Sequence, residues 1–216
     1  MHYYVITGGP LVAAAAKVID DGFIIAADGG IDFCMKHNIM PSLAVGDMDS
    51  VSASGLERIK KNDVPIKLYP VEKDMTDTEI AISYVPEGEK VTLVCPLHGR
   101  LDHIIANMQL AGLLHSQGRD IVLDDGFTQV WFLSGSEVET FSLERWGNDS
   151  AISLVPLLFD RRVTGITTSG LYYALSDDSI EFGKTLSFSN KPIDGAKEFT
   201  VSIKDGFLAV VISRTE

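Results

Sequence analysis

From Tyr3 to about residue 133 the chain repeats one arrangement: a short apolar run, a turn of small or acidic residues, then a stretch with helical spacing. The runs are Tyr3 to Thr7, Phe23 to Ala27, Leu43 to Val45, Ile66 to Tyr69, Val91 to Cys95 and Ile121 to Leu123. Strands that are apolar on both sides must be covered on both sides, which a parallel sheet between crossover helices achieves. The turn Gly8-Gly9-Pro10 precedes an expected alanine-rich helix. After about residue 134 the helical spacing disappears. Ala151 to Leu154, Arg162 to Thr167, Thr185 to Phe188, Phe199 to Ile203 and Leu208 to Ile212 are then separated by Gly, Asp, Ser and Asn, a pattern of short antiparallel strands in a small sandwich or barrel. The expected fold is α/β: an N-terminal doubly wound, mostly parallel sheet over residues 1–134, and a smaller C-terminal antiparallel β-sandwich domain over 135–216.

A length of 216 residues suits a larger and a smaller domain, each with a core of its own. The net charge of −12, with no cluster of Lys or Arg, argues against nucleic acid or an anionic membrane as partner and favours a small molecule. No apolar run reaches the roughly 18 residues of a membrane span, and the start MHYYVITGGP lacks the basic and long apolar parts of a secretory signal, so a cytoplasmic protein is expected. Cys34 and Cys95 have no metal-ligand spacing and read as reduced core residues.

An open parallel sheet binds its ligands outside the carboxyl ends of its strands, where the strand order reverses. The acids fall at those ends: Asp28 after the second run, Asp47 and Asp49 after the third, Asp74 and Asp77 after the fourth, Asp102 after the fifth. Carboxylates gathered there repel one another unless a cation neutralises them, and an all-oxygen donor set suits Mg²⁺ completed by water and phosphates. In Gly46-Asp47-Met48-Asp49-Ser50 an extended backbone would aim both acids to one side. The plain structural alternative is a polar turn in which Asp49 or Ser50 caps the helix near residues 52 to 60. The same Asp-x-Asp also occurs in nucleotide-sugar glycosyltransferases.

In Lys73-Asp74-Met75-Thr76-Asp77, Thr76 reads as the N-cap of a helix with Glu79 completing a capping box, which leaves Lys73 and Asp74 for phosphate and metal. Gly99-Arg100-Leu101-Asp102-His103 opens a long helix with an apolar stripe at Leu101, Ile104, Ile105, Met108 and Ala111, and Arg100, His103 and Asn107 form a separate polar ridge. Arg100 can grip phosphate at two points. Gly8-Gly9-Pro10 can bring backbone amides to a phosphate, but Gly9 to Lys17 is not a Walker A loop.

These motifs, in the order Asp28-Gly29-Gly30, Gly46-Asp47-x-Asp49-Ser50, Lys73-Asp74-x-Thr76-Asp77 and Gly99-Arg100-x-Asp102-His103 with Asn107, resemble the bacterial branch of the thiamine pyrophosphokinase family. Gly165, Gly170-Leu171, Gly183 and Ser189-Asn190 are similar to its β domain. The resemblance implies ATP and thiamine as substrates, pyrophosphoryl transfer to the thiamine hydroxyl, Mg²⁺, and a homodimer whose thiamine pocket draws on the β domain of a second subunit. It implies that Asp28, Asp47, Asp49, Asp77 and Asp102 match the family's acidic site around Mg²⁺ and the nucleotide phosphates, with Lys73 and Asp74 flanking it. Asp47, Asp49, Asp74 and Asp77 are the expected metal ligands, directly or through water, and Asp49, Asp77, Arg100 and Asp102 the expected catalytic residues, with Asp102 or Asp77 accepting the hydroxyl proton. Asp28, Lys73, Thr76, His103, Asn107, Ser189 and Asn190 are implied to bind substrates. Lys73 stands where eukaryotic members carry Gln. After Ser189-Asn190 comes Lys191-Pro192-Ile193, with no aromatic where some members stack a Trp on thiamine. A nucleotide-sugar glycosyltransferase and a non-catalytic thiamine- or nucleotide-binding module are the competing readings.

Overall fold

The computed structural model describes residues 1–147, 149–158 and 161–214. Its contacts divide the chain into two units, Met1–Phe127 and Thr128–Glu216. The division falls earlier than the boundary expected near Ser134, because residues 128–134 form a strand paired along its length with the last strand of the second unit.

In the first unit, strands β1 (His2–Ile6), β2 (Phe23–Ala27), β3 (Leu43–Gly46), β4 (Ile66–Leu68), β5 (Lys90–Val94) and β6 (Ile121–Asp124) run parallel. Their spatial order is β4-β3-β2-β1-β5-β6, so the order reverses between β1 and β5. Val5, Ile6, Ile25, Ala26, Ala44, Val45, Leu93 and Val94 are fully buried, as an apolar strand covered on both faces requires.

The helices are α1 (Gly30–Lys36), α2 (Ala53–Lys61), α3 (Asp77–Ser83) and α4 (Leu101–Ser116). Ser52 Oγ caps α2 by accepting from Gly55 N at 3.0 Å, a role expected of Asp49 or Ser50. Thr76 Oγ1 caps α3 by accepting from Glu79 N at 3.2 Å. The alanine-rich stretch is a short 3-10 helix, Ala13–Val18, with no side-chain cap. Helix α4 departs from its expected apolar stripe: Leu101, Ile105 and Leu113 are exposed, and the buried positions are Asn107, Ala111 and Gly112. A helix apolar on nearly every side offers periodicity little to choose between, and here the small residues face inward.

The second unit is an antiparallel sandwich. One sheet has β7 (Thr128–Ser134), β13 (Phe207–Arg214) and β9 (Ser150–Pro156) in that order; the other runs β11 (Asp178–Glu181), β10 (Arg162–Ser169), β12 (Glu198–Ile203), β8 (Glu137–Ser142). Alternate residues of both meet in one core, with Ile152, Leu154, Val210 and Ile212 from one sheet and Phe141, Ile166, Phe199 and Val201 from the other. Phe141 and Phe199 stack at 4.8 Å. The expected strand Thr185 to Phe188 is a turn: Ser187 and Ser189 hold left-handed φ of 68° and 51°, and Leu186 and Phe188 are exposed.

Candidate active site

A cleft of about 700 Å³ opens in the first unit at the carboxyl ends of the strands, and its walls include Thr7 and Gly8 after β1 and Pro96 after β5, at the reversal of strand order. Asp28, Asp47, Asp49, Lys73, Thr76, Asp77, Arg100, Asp102, His103 and Asn107 all line it. Asp74 does not line the cleft and is exposed.

Two tight turns and a glycine concentrate the charge. Asp28 adopts a left-handed φ of 44°, its N–H held by Val45 O at 2.8 Å, so its carboxyl turns back over the end of β3. Met48 is also left-handed, at 67°, so Asp47-Met48-Asp49 is a bend and not the extended segment expected of it. The bend is closed by Asp49 N donating to Asp47 Oδ1 at 3.1 Å, and Ser50 Oγ donates to Asp49 Oδ1 at 2.8 Å. Carboxylate oxygens of Asp28, Asp47 and Asp49 thereby lie within 4.8 Å of one another. Gly46 makes room beside them, since a Cβ there would sit 3.2 Å from both Asp28 Cβ and Asp77 Oδ1.

Lys73 Nζ donates to Asp47 Oδ2 at 2.9 Å and to Pro70 O at 3.1 Å, and it lies 3.2 Å from Asp77 Oδ1. This last contact is an ion pair without hydrogen-bond geometry, so Asp77 Oδ1 is buried with no hydrogen-bond partner, as is Asp28 Oδ1. The hydrogen bond from Lys73 holds the Asp47 carboxyl below its usual range, and the same bond raises the ammonium. Asp28 goes the other way. Burial, aided by the charges of Asp47 and Asp77, pushes its carboxyl up.

Across the cleft, Arg100 donates from Nε to Asp102 Oδ1 at 3.2 Å and from an NH2 group to Asp102 Oδ2 at 2.6 Å, on an exposed rim. The guanidinium holds the Asp102 carboxyl below its ordinary value. Asn107 is buried beneath this rim, beside Cys95, whose thiol is pushed up by burial. Burial raises Cys34 to about 12, and both cysteines are free.

Ser50, expected as a helix cap, also lines the cleft, and His98 and Thr7 line it without having been singled out in the sequence. Nor was Asp125, although it follows β6 at a strand end like the other acids: its Oδ2 accepts from Leu97 N at 3.3 Å and its Oδ1 from Phe127 N at 2.9 Å, fixing the loop that leads to His98 and Arg100. In the second unit Asn190 is buried and fully engaged. Its Oδ1 accepts from Tyr173 N at 3.0 Å and Lys191 N at 2.9 Å, and its Nδ2 donates to Tyr173 O at 2.8 Å. Ser189 N donates to Ser153 Oγ at 3.0 Å.

A parallel sheet that gathers carboxylates, a lysine and glycine turns in a cleft at the carboxyl ends of its strands has the form of an α/β enzyme. Residues 16–123 match the family model described as thiamin pyrophosphokinase, catalytic domain, and residues 140–208 match that of the thiamin pyrophosphokinase vitamin B1 binding domain. The chain belongs to the thiamin pyrophosphokinase family. It is 28% identical over 214 residues to a thiamine pyrophosphokinase of Bacillus subtilis, covering 97% of each chain. The crystal structure of thiamine pyrophosphokinase from Bacillus subtilis superposes with a TM-score of 0.84 at 25% identity, covering 100% of both chains. That of thiamin pyrophosphokinase from Geobacillus thermodenitrificans gives 0.82 at 26% identity, covering 100% of this chain and 99% of the other. The glycosyltransferase reading of Asp47-Met48-Asp49 finds no support in these matches.

Proposed function

We propose that the chain transfers a pyrophosphoryl group from ATP to the hydroxyl of thiamine, giving thiamine diphosphate and AMP, in the cytoplasm and as a homodimer. The observation that carries this reading is the Asp28, Asp47 and Asp49 cluster after β2 and β3, in the cleft that reaches the switch point of the sheet, with Lys73 and Arg100 as cations in the same cleft. The cluster fits Mg²⁺: its donors are hard carboxylate oxygens, and a buried Asp28 oxygen has no hydrogen-bond partner. Asp28 takes the place among the ligands that the sequence reading gave to Asp74. Asp77, on Lys73, stands beside the cluster. When bound, the metal supplies charge neutralisation on the transferred phosphates.

The chain's own residues do the rest. Arg100 and Lys73 offset negative charge on the nucleotide, and Thr7, Gly8 and Gly9 shape the floor against which it is positioned. Of the two acids considered for the hydroxyl proton, Asp77 is the better placed. It is half-buried and meets only the Lys73 ammonium at one oxygen, without hydrogen-bond geometry, whereas Asp102 is exposed and bound twice by Arg100.

Purified protein incubated with ATP, Mg²⁺ and thiamine should release AMP and thiamine diphosphate in equal amounts on chromatography, and EDTA should stop both. AMP release independent of thiamine, or turnover in metal-free buffer, refutes the proposal. Asp49→Asn should lower turnover about a hundredfold or more while the protein stays folded, the usual consequence of losing one charge-stabilising contact.

A further inference from the structure

We propose that Lys73 is a resident counter-ion of the acidic site, contested by the divalent metal in the absence of nucleotide and drawn off by phosphate when nucleotide arrives. The inference rests on the metal- and ATP-dependent reaction proposed above and states how the two ligands depend on each other. Three oxygens hold the ammonium: Asp47 Oδ2, Asp77 Oδ1 and Pro70 O, at 2.9, 3.2 and 3.1 Å. The side chain is only 13% exposed, so the pair is part of the cleft wall and not of the open surface.

Asp47 belongs to both arrangements. It is one of the clustered acids, yet both its oxygens are engaged, Oδ2 by Lys73 and Oδ1 by the Asp49 amide. A metal ion that uses Asp47 must therefore dislodge one of these donors or sit against an ammonium that repels it. Even in a cleft open to water, repulsion between a monocation and a dication at such separations is worth about tenfold or more in affinity.

A triphosphate reverses the balance. Its charge rewards both cations, and the lysine stem can carry its ammonium from carboxylate to phosphate without moving the strands. The loop that bears it allows this, because Val71, Glu72, Asp74 and Met75 around Lys73 are exposed while Lys73 itself turns inward. Metal alone should bind weakly, nucleotide should strengthen it, and Lys73 should carry that coupling.

The test is Mn²⁺ binding, read from the electron paramagnetic resonance of the free ion, for wild type, Lys73→Gln, Lys73→Met and Lys73→Arg, with and without a non-hydrolysable ATP analogue. Lys73→Gln and Lys73→Met should bind Mn²⁺ alone about tenfold more tightly than wild type. Lys73→Arg, which keeps the charge, should behave as wild type. With the analogue present the advantage of the neutral variants should vanish or reverse. Melting temperatures give an independent reading: without the ammonium the carboxylates repel, so the neutral variants should melt lower in EDTA and gain more from Mn²⁺ than wild type. A variant too unstable to study in EDTA should be recovered by Mn²⁺. Neutral variants that bind Mn²⁺ alone no more tightly than wild type, or that Mn²⁺ fails to stabilise, overturn the inference. If Asp28→Asn and Asp49→Asn leave Mn²⁺ binding undiminished, it is the metal site itself that is wrong.

Discussion

Asp28 is held against its own charge. Burial raises its carboxyl, so the folded state prefers it protonated; the stability this contributes is present below the ordinary value of 3.8 and is lost as pH rises through the raised one. At neutral pH the ionised group weakens the metal-free fold. Asp28→Asn should accordingly raise the melting temperature in EDTA at pH 7 while abolishing Mn²⁺ binding, and the gain should shrink in acid. Asn also suits the φ of 44°, which adds an offset independent of pH, so the dependence on pH is the part that tests the argument. Gly46 permits this crowding. Gly46→Ala should cost on the order of 1–3 kcal/mol in stability and most of the activity, since its φ of 138° is strained for any side chain and its Cβ would push on Asp28 and Asp77. That these acids share one cleft was readable from their places at strand ends. The bend at Met48 was not, because a left-handed methionine has no signature in residue type, and the proposal of Asp28 in place of Asp74 rests on that bend and on Asp28's own.

Strand β6 and helix α4 show the same division at the scale of elements. The parallel strands were legible because continuous apolar runs must be covered on both faces. Helix α4 was legible in extent but not in orientation, since Leu, Ile and Met occur on nearly all its sides and only the small Ala111 and Gly112 fit the close approach to the sheet. The part played by the end of β6 was not legible, because Asp125 holds a loop through the backbone amides of Leu97 and Phe127, which residue type does not reveal. Asp125→Ala would strand the Leu97 and Phe127 amides, at a cost of about 2–4 kcal/mol, and should raise the KM for ATP through the loosened approach to His98 and Arg100. Kinetics and melting temperature together check it; an unchanged KM would reduce Asp125 to a structural role. In the second unit Asn190→Ala, which removes three hydrogen bonds from a buried amide, should destabilise by a similar amount.

At the scale of the molecule, each unit has a core of its own, one between sheet and helices and one between two antiparallel sheets. The sandwich was recognisable from short apolar runs separated by Gly, Asp, Ser and Asn, and burial alternates along β9 and β12 accordingly, whereas the Thr185 to Phe188 turn mimicked a strand in composition alone. Mg²⁺ with an ATP analogue should slow amide exchange in residues 46–50 and 97–103, where the cleft lies, and leave the β12 amides of the sandwich core unchanged over the same interval. Protection confined to the second unit would place the nucleotide elsewhere.

The order β4-β3-β2-β1-β5-β6 also dictates when the site can exist. Of these six strands His2–Ile6 is made before the others yet ends at the centre of the sheet, and one of its two neighbours, Lys90–Val94, is made only after three other strands and their helices. Until then the edge of β1 that should receive β5 has no partner, and Pro96 cannot stand against Gly9. During synthesis the acids of β2 and β3 are therefore present well before the wall that would close over a nucleotide, so ligand can reward only the last steps of folding and not the first. Closing that long-range pairing is the slow event expected of this topology.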